Sequence, residues 1–477
     1  MPDLTNDNEP ATQDVEPGSK PTRRVFLKDA AGVAGAVAGT ASVSGLVSAC
    51  GGSTGGPSSG KGGRMIAARG NTLDFACILP VAGAFTIVTK PWYAAMQIAA
   101  SERNAAGGVR VGGRALKVNV PLLDEGYAAA PSIIAARQFF SNNGHYMGGF
   151  VSVEGPQAVL GINDRADAML VSTITGVTAL SYDKLRIYNN ELAQATGPYK
   201  ADFAYNELGA RRVATIELKN AWGNDYQQSF ATAFEQLGGK IVDRAYMLVT
   251  QTDFTATISS WKPLAPDLIY IIIGDGPGVT IGNQLGQLGF NSQPLLLEGA
   301  WDPNSFAKAG AGFIHRGHYS GMAPYVLPWN SAVTRVATEI HSRSGLYPTN
   351  WVWQAYDSMR IVLDAIELAN STDPRAAIQA VPEAVKNGVA SGKWVTHASS
   401  AFLSARKGCY LNIPFTFGQF KAPGSVNYAA EPPMAPVKNP KYHNLPGVLA
   451  PSWAGYQQPY GSTPFPSLQQ AQQLRPA

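Results

Sequence analysis

Between Thr72 and Phe420, short apolar runs alternate with helix-spaced patterns, and most changes of period fall on Gly or Pro. This alternation constrains the chain more than any single motif. A strand, a helix and a further parallel strand require a right-handed crossover and a sheet covered on both faces. Leu73–Val81 reads as the first buried strand, and Pro91 is placed in the first turn of a helix that Gly107-Gly108 stops. Strands at Leu116–Leu123, Tyr146–Val151 and Met169–Thr173 follow, with helices opened by Pro131 and Pro156. A second series runs from residue 197 to 297, with strands at Arg212–Leu218, Lys240–Leu248, Asp267–Ile273 and Pro294–Leu297. Two successive series predict an α/β fold with two doubly wound parallel-sheet lobes.

Residues 331–380 carry three further helical patterns and return to cover the first lobe, while Lys393–Val395 and Pro414–Phe420 read as late strands. The expected division is 72–195 plus 320–385 for lobe 1 and 196–319 plus 386–421 for lobe 2. Residues 422–477 form a Pro-rich tail without periodicity, packed along the surface or disordered. The chain's 477 residues are comfortable for two domains, and 45% apolar against 15% charged residues supplies real cores. A net charge of +4 is too balanced to argue for nucleic acid. Three cysteines, Cys50, Cys77 and Cys409, exclude a disulfide scaffold and a Cys-rich metal site; Cys77 is expected as a buried thiol.

Residues 1–49 read as an address rather than as fold. Arg23-Arg24 followed by Val-Phe-Leu-Lys resembles a twin-arginine export signal, and the Ala/Gly/Val/Ser run behind it is weakly hydrophobic for a membrane span. Leu46-Val47-Ser48-Ala49-Cys50 resembles a lipoprotein cleavage box, which makes Cys50 the acylated first residue and the lipid bilayer a partner. Residues 50–71 then form a Gly/Ser-rich tether.

No P-loop or H-E-x-x-H pattern occurs, G-x-S-x-G falls only on the Gly/Ser-rich tether, as Gly51–Gly55 and Gly56–Gly60, with no strand-to-helix turn to carry it, and nothing pairs a nucleophile with a base. The sequence therefore reads as a non-enzyme, with no cofactor and no metal. His315-Arg316-Gly317-His318 reads as loop histidines, and Gly274–Gly278 as a strand-to-helix turn rather than a phosphate loop. The loops at the expected strand ends carry small hydroxyl residues, Gly and isolated aromatics, with a carboxylate, Glu298, directly at a strand end, which suits a small polar solute with an apolar part.

Leu79-Pro80-Val81-Ala82-Gly83, Asn104-Ala105-Ala106-Gly107-Gly108-Val109, Trp222-Gly223, Thr252-Asp253-Phe254, Asp267-Leu268-Ile269-Tyr270 and Glu298-Gly299 occur in that order. Together they resemble the type 1 periplasmic binding proteins, the branched-chain amino acid and amide receptors of ABC importers. The resemblance spans about Leu73 to Phe420. It implies two lobes joined by a hinge, a small amino acid or amide-like solute, and a membrane permease as partner. It places Ser152, with Val153 departing from the usual hydroxyl, on a ligand carboxylate, and adds Thr173 and Thr175 from the next loop. Trp222 stands for the ligand-facing tyrosine, and Glu298 for the acid that meets a ligand ammonium, with Asp275 as a second acid. Phe85, Trp301 and Trp351 are candidates for the side-chain pocket. A sensor acting on a regulatory partner uses the same fold, so fold alone does not choose between them.

Overall fold

The structure, a computed structural model, describes residues 67–83, 85–172, 185–189, 191–273, 275–299, 301, 303–306, 311–390, 395–396, 399–402, 409–422, 424–447, 469 and 472. Arg23, Arg24, Cys50, Thr173 and Thr175, and most of the expected strand Lys393–Val395, lie outside these residues.

The first segment runs β1 (Ala68–Arg69), β2 (Thr72–Leu79), α1 (Thr86–Ala105), β3 (Val109–Val111), β4 (Arg114–Asn119) and β5 (Leu122–Asp124). It continues through α2 (Ala129–Ser141), β6 (Tyr146–Gly149), α3 (Glu154–Arg165), β7 (Met169–Ser172) and β8 (Arg186–Tyr188). The second comprises α4 (Ala193–Asp202), β9 (Arg212–Leu218), α5 (Ala221–Gln236), β10 (Lys240–Met247), α6 (Thr255–Ser260) and β11 (Leu268–Ile272). Then come α7 (Asp275–Gln287), β12 (Leu295–Glu298), α8 (Pro303–Phe306), α9 (Ala311–Ile314), β13 (Gly317–Met322) and α10 (Ala323–Val326). The chain returns through α11 (Ser331–Ser344), α12 (Val352–Leu368), α13 (Pro374–Ala390), β14 (Ser399–Phe402) and β15 (Cys409–Asn412). It ends with β16 (Phe415–Phe420) and β17 (Met434–Pro436).

These strands form two sheets. The ten-stranded sheet of lobe 1 is ordered β14-β15-β8-β7-β6-β2-β4-β3, with β1 and β5 also paired to β2. The seven-stranded sheet of lobe 2 is ordered β10-β9-β11-β12-β13-β16-β17. Both are parallel through their centres, and β11, Leu-Ile-Tyr-Ile-Ile, is buried along its whole length, as a strand covered on both faces must be.

Three differences from the expected division have physical causes. First, β14 and β15 hydrogen-bond into the lobe 1 sheet through β8, and β13 sits in the lobe 2 sheet. Residues 386–421 are thus shared between lobes instead of belonging to lobe 2, because the chain crosses back only between Asn412 and Phe415. Second, α1 begins at Thr86, so Pro91 lies inside the helix; its missing N–H removes one bond while Val88, Thr89, Pro91 and Trp92 gain burial. Third, part of the tail enters the core: β17 pairs with β16, and buried Tyr442 packs edge-on against Phe203 at 4.9 Å and beside Phe417 at 5.6 Å.

The chain therefore crosses between the sheets three times, after β8, between β13 and α11, and between β15 and β16. The first and third crossings are tied to the tail: Leu192 N–H donates to Gly447 O at 2.7 Å, and Gly447 N–H to Asn412 Oδ1 at 2.9 Å. A Cβ at 447 would stand 2.3 Å from Ile413 O, so this close approach needs glycine. Beyond the second crossing, Tyr347, between α11 and α12, and Asn304 of lobe 2 exchange two hydrogen bonds of 2.9 and 3.1 Å. Asn350 Nδ2 donates to Tyr319 Oη at 3.0 Å.

Candidate functional site

The expected carboxylate-binding loop follows β6. Ser152 sits there fully buried, and its hydroxyl is used twice: it donates to Glu125 Oε2 at 2.6 Å and accepts from Gly155 N–H at 3.0 Å, capping α3. The amides of Val151 and Ser152 both donate to Glu125 Oε1, at 2.6 and 3.1 Å. Glu125, carried just past β5, is fully buried in this cradle. Burial pushes its carboxyl up to about 7, against the pull of the Ser152 and Val151 hydrogen bonds. Val153 is buried in the apolar core, and Glu154 is exposed in the first turn of α3.

The second expected pole is Glu298, at the carboxyl end of β12. Its side chain is buried, and it meets a cation from the protein itself: Lys200 Nζ donates to Glu298 Oε2. Oε1 receives the Gly299 N–H at 3.1 Å. Lys200 is fully buried on α4, with its ammonium 4.8 Å from the centre of the Tyr226 ring and 3.4 Å from Thr196 Oγ1. Every residue of α4 is buried. Its glycine, Gly197, admits the close approach of α5, because a Cβ there would lie 2.2 Å from Ser229 Oγ.

Burial raises the Glu298 carboxyl, and the Lys200 ammonium pulls it back. The neighbouring Glu191, at the first crossing, feels the same ammonium without a hydrogen bond to it. Burial, with repulsion from Glu298 added and Lys200 only partly offsetting them, lifts it to about 8, so it is mostly protonated at neutral pH. Its Oε2 has no hydrogen-bond partner, and neither does either side-chain polar atom of fully buried Gln194 in the first turn of α4.

The other candidates fall in two groups. Around Glu298, Trp301 Nε1 donates to the Glu298 carbonyl at 3.0 Å and the ring packs on Phe313, fully buried. Trp222 lies buried against Tyr226, 5.1 Å between ring centres, so it reaches Lys200 through that ring. Asp275 opens α7, and its side chain is outside the described residues. In lobe 1, Phe85 is half-buried ahead of α1 and stacks on Tyr127 at 4.1 Å. Trp351 is half-buried at the start of α12, against the main core. Cys77 is a buried free thiol in β2.

Sequence reading missed Glu125, Glu191, Gln194 and Lys200. Nothing local marks Lys200, because α4 also carries Gln194, Thr196, Tyr199 and Asp202, and a lysine among them reads as a solvated position.

The sequence pattern of a family described as periplasmic binding protein matches residues 72–401. A Leu/Ile/Val-binding protein homolog from Brucella melitensis is 24% identical over 281 residues, 58% of this chain and 73% of that protein. Among solved structures, a leucine binding protein from Thermotoga maritima is 23% identical, with a TM-score of 0.55 over 65% of this chain and 87% of that one. An ABC transporter substrate-binding protein from Sphaerobacter thermophilus is 18% identical, with a TM-score of 0.61 over 78% of this chain and 99% of that one. On the matched sequence and the two-lobed fold, this chain belongs to the periplasmic binding protein family of extracytoplasmic solute receptors.

Proposed function

We propose that the chain is a lipid-anchored receptor that closes its two lobes around a small amino acid or amide-like solute and delivers it to an ABC-type permease. The observation that carries this reading is the pair of parallel sheets joined by three crossings, with the buried polar groups Glu191, Gln194, Lys200 and Glu298 gathered at the first crossing and the adjoining strand end. Ligands of open α/β sheets bind beyond the carboxyl ends of strands, and contacts to both lobes favour a closed state. Arg23-Arg24 and the Ser48-Ala49-Cys50 box support export and acylation at Cys50. Ser152, Thr173, Thr175 and Phe85 belong to the lobe 1 side of the cleft in this reading, and Trp222, Asp275, Glu298 and Trp301 to the lobe 2 side, with Trp351 beside the second crossing.

Native mass spectrometry of the protein as purified, followed by a thermal-shift screen of amino acids, amides and aromatic acids, tests the reading. A solute retained in the gas phase, or a ligand raising the melting temperature by several degrees, is the expected result. A protein that retains nothing and responds to no solute is not a receptor of this kind.

A further inference from the structure

We infer that Glu125 and Lys200 set the ligand class, by holding from within the protein the two places that a zwitterionic amino acid needs, so that the cleft takes an uncharged hydrogen-bonding solute such as a carboxamide. This rests on the receptor reading above and narrows it. At the lobe 1 pole, the Ser152 hydroxyl and the Val151 and Ser152 amides are all committed to the Glu125 carboxyl, and the second face of the hydroxyl to Gly155. A ligand carboxylate arriving there would have to expel a fully buried side chain from three hydrogen bonds. At the lobe 2 pole, the oxygens of Glu298 are committed to Lys200 and to the Gly299 amide. A ligand ammonium would have to displace a buried lysine and leave that charge without a partner.

What is left unsatisfied has the opposite character. Gln194 is fully buried with its carboxamide oxygen and nitrogen both unpartnered, and Glu191 adds one unpartnered oxygen. Buried polar atoms without partners are costly; others remain among the described residues, but Asn189 Oδ1, Glu191 and Gln194 follow one another along the first crossing into α4, where an occupant between the lobes would meet them. A carboxamide presents one acceptor and a pair of donors, which is the complement of Gln194. The protonation of Glu191 at neutral pH agrees with this, because it removes the one charge not already neutralised in the cluster.

The test is calorimetry of the full chain, freed of bound solute by unfolding and refolding, against four probes of one size: propionamide, alanine, propionate and propylamine. The expected result is propionamide binding at least tenfold tighter than the three charged probes, with Gln194→Ala weakening it at least tenfold. Lys200→Met, which bares Glu298, should gain at least tenfold in propylamine affinity. Because that variant strands a buried carboxylate and risks misfolding, Lys200→Met/Glu298→Gln, neutral at the same place, serves beside it and should show no such gain. Alanine, propionate or propylamine binding as tightly as propionamide to the wild type overturns the inference and leaves the receptor intact. A chain that binds none of the four and retains no solute in native mass spectrometry overturns the receptor reading itself.

Discussion

On the outer face of lobe 1, α1, α11 and α12 are laced by ion pairs: Arg103 with Asp364 and Glu367, and Glu102 with Arg335 and Arg360. Beside the first crossing, Lys200 forms a single ion pair, with Glu298. The chemistry is the same and the surroundings are opposite. The outer side chains are 19–49% exposed, so water screens them and competes for each partner. Lys200 and Glu298 are 0% and 3% exposed, where each charge is tolerable only because the other is there. An ion pair on the surface adds only a little stability, whereas one in the interior fixes which charges the neighbourhood can still accept. Glu125 extends the lesson: it is a buried acid without a cation, held by amides and a hydroxyl alone.

The comparison breaks most visibly at Lys200. Removing one partner of a buried pair leaves the other stranded, so Lys200→Met should cost about 3–5 kcal/mol in denaturant unfolding. Restoring neutrality with Glu298→Gln should recover most of that loss. Equal stability of the single and double variants would place Glu298 in contact with water.

The pH dependence sharpens it next. Burial lifts Glu125 to about 7 and Glu191 to about 8, both above the ordinary value of 4.5. The folded state therefore holds extra protons between those values; stability is highest below about 4.5 and falls as pH rises through 7 and 8. Glu125→Gln should remove up to about 3 kcal/mol of that fall between pH 5 and 8. Parallel stability curves for variant and wild type would mean that Glu125 titrates normally.

The smallest effect belongs to the outer face. Asp364→Ala should cost only about 0.2–1 kcal/mol and less in high salt, because Arg103 keeps Glu367. A loss as large as that at Lys200 would erase the distinction between the two regions.

Local pattern was enough for much of this molecule. The strand Arg212–Leu218 has the limits its pattern predicts, and β11 and β12 fall within a residue of theirs, because strands buried on both faces are carried by mostly apolar runs. Helix starts were less legible: α3 begins two residues before Pro156 and α1 five before Pro91, since prolines are tolerated past the first position when neighbouring side chains gain burial. The tail was legible only as aperiodic, and nothing local announces that Tyr442 enters an aromatic cluster or that Gly447 binds the first crossing.

Taken alone, the sequence determined the alternating α/β series, the two lobes and the loops where chemistry would concentrate, since each follows from periodicity over a few neighbouring residues. Which partner each charged group meets was settled only by the tertiary structure. Lys200 and Glu298 lie 98 positions apart and Glu125 and Ser152 lie 27 apart, and no local pattern encodes a contact made by bringing distant strand ends and helices together. A carboxylate in a loop reads the same whether its counter-ion will come from a solute or from the next helix; burial and distance decide.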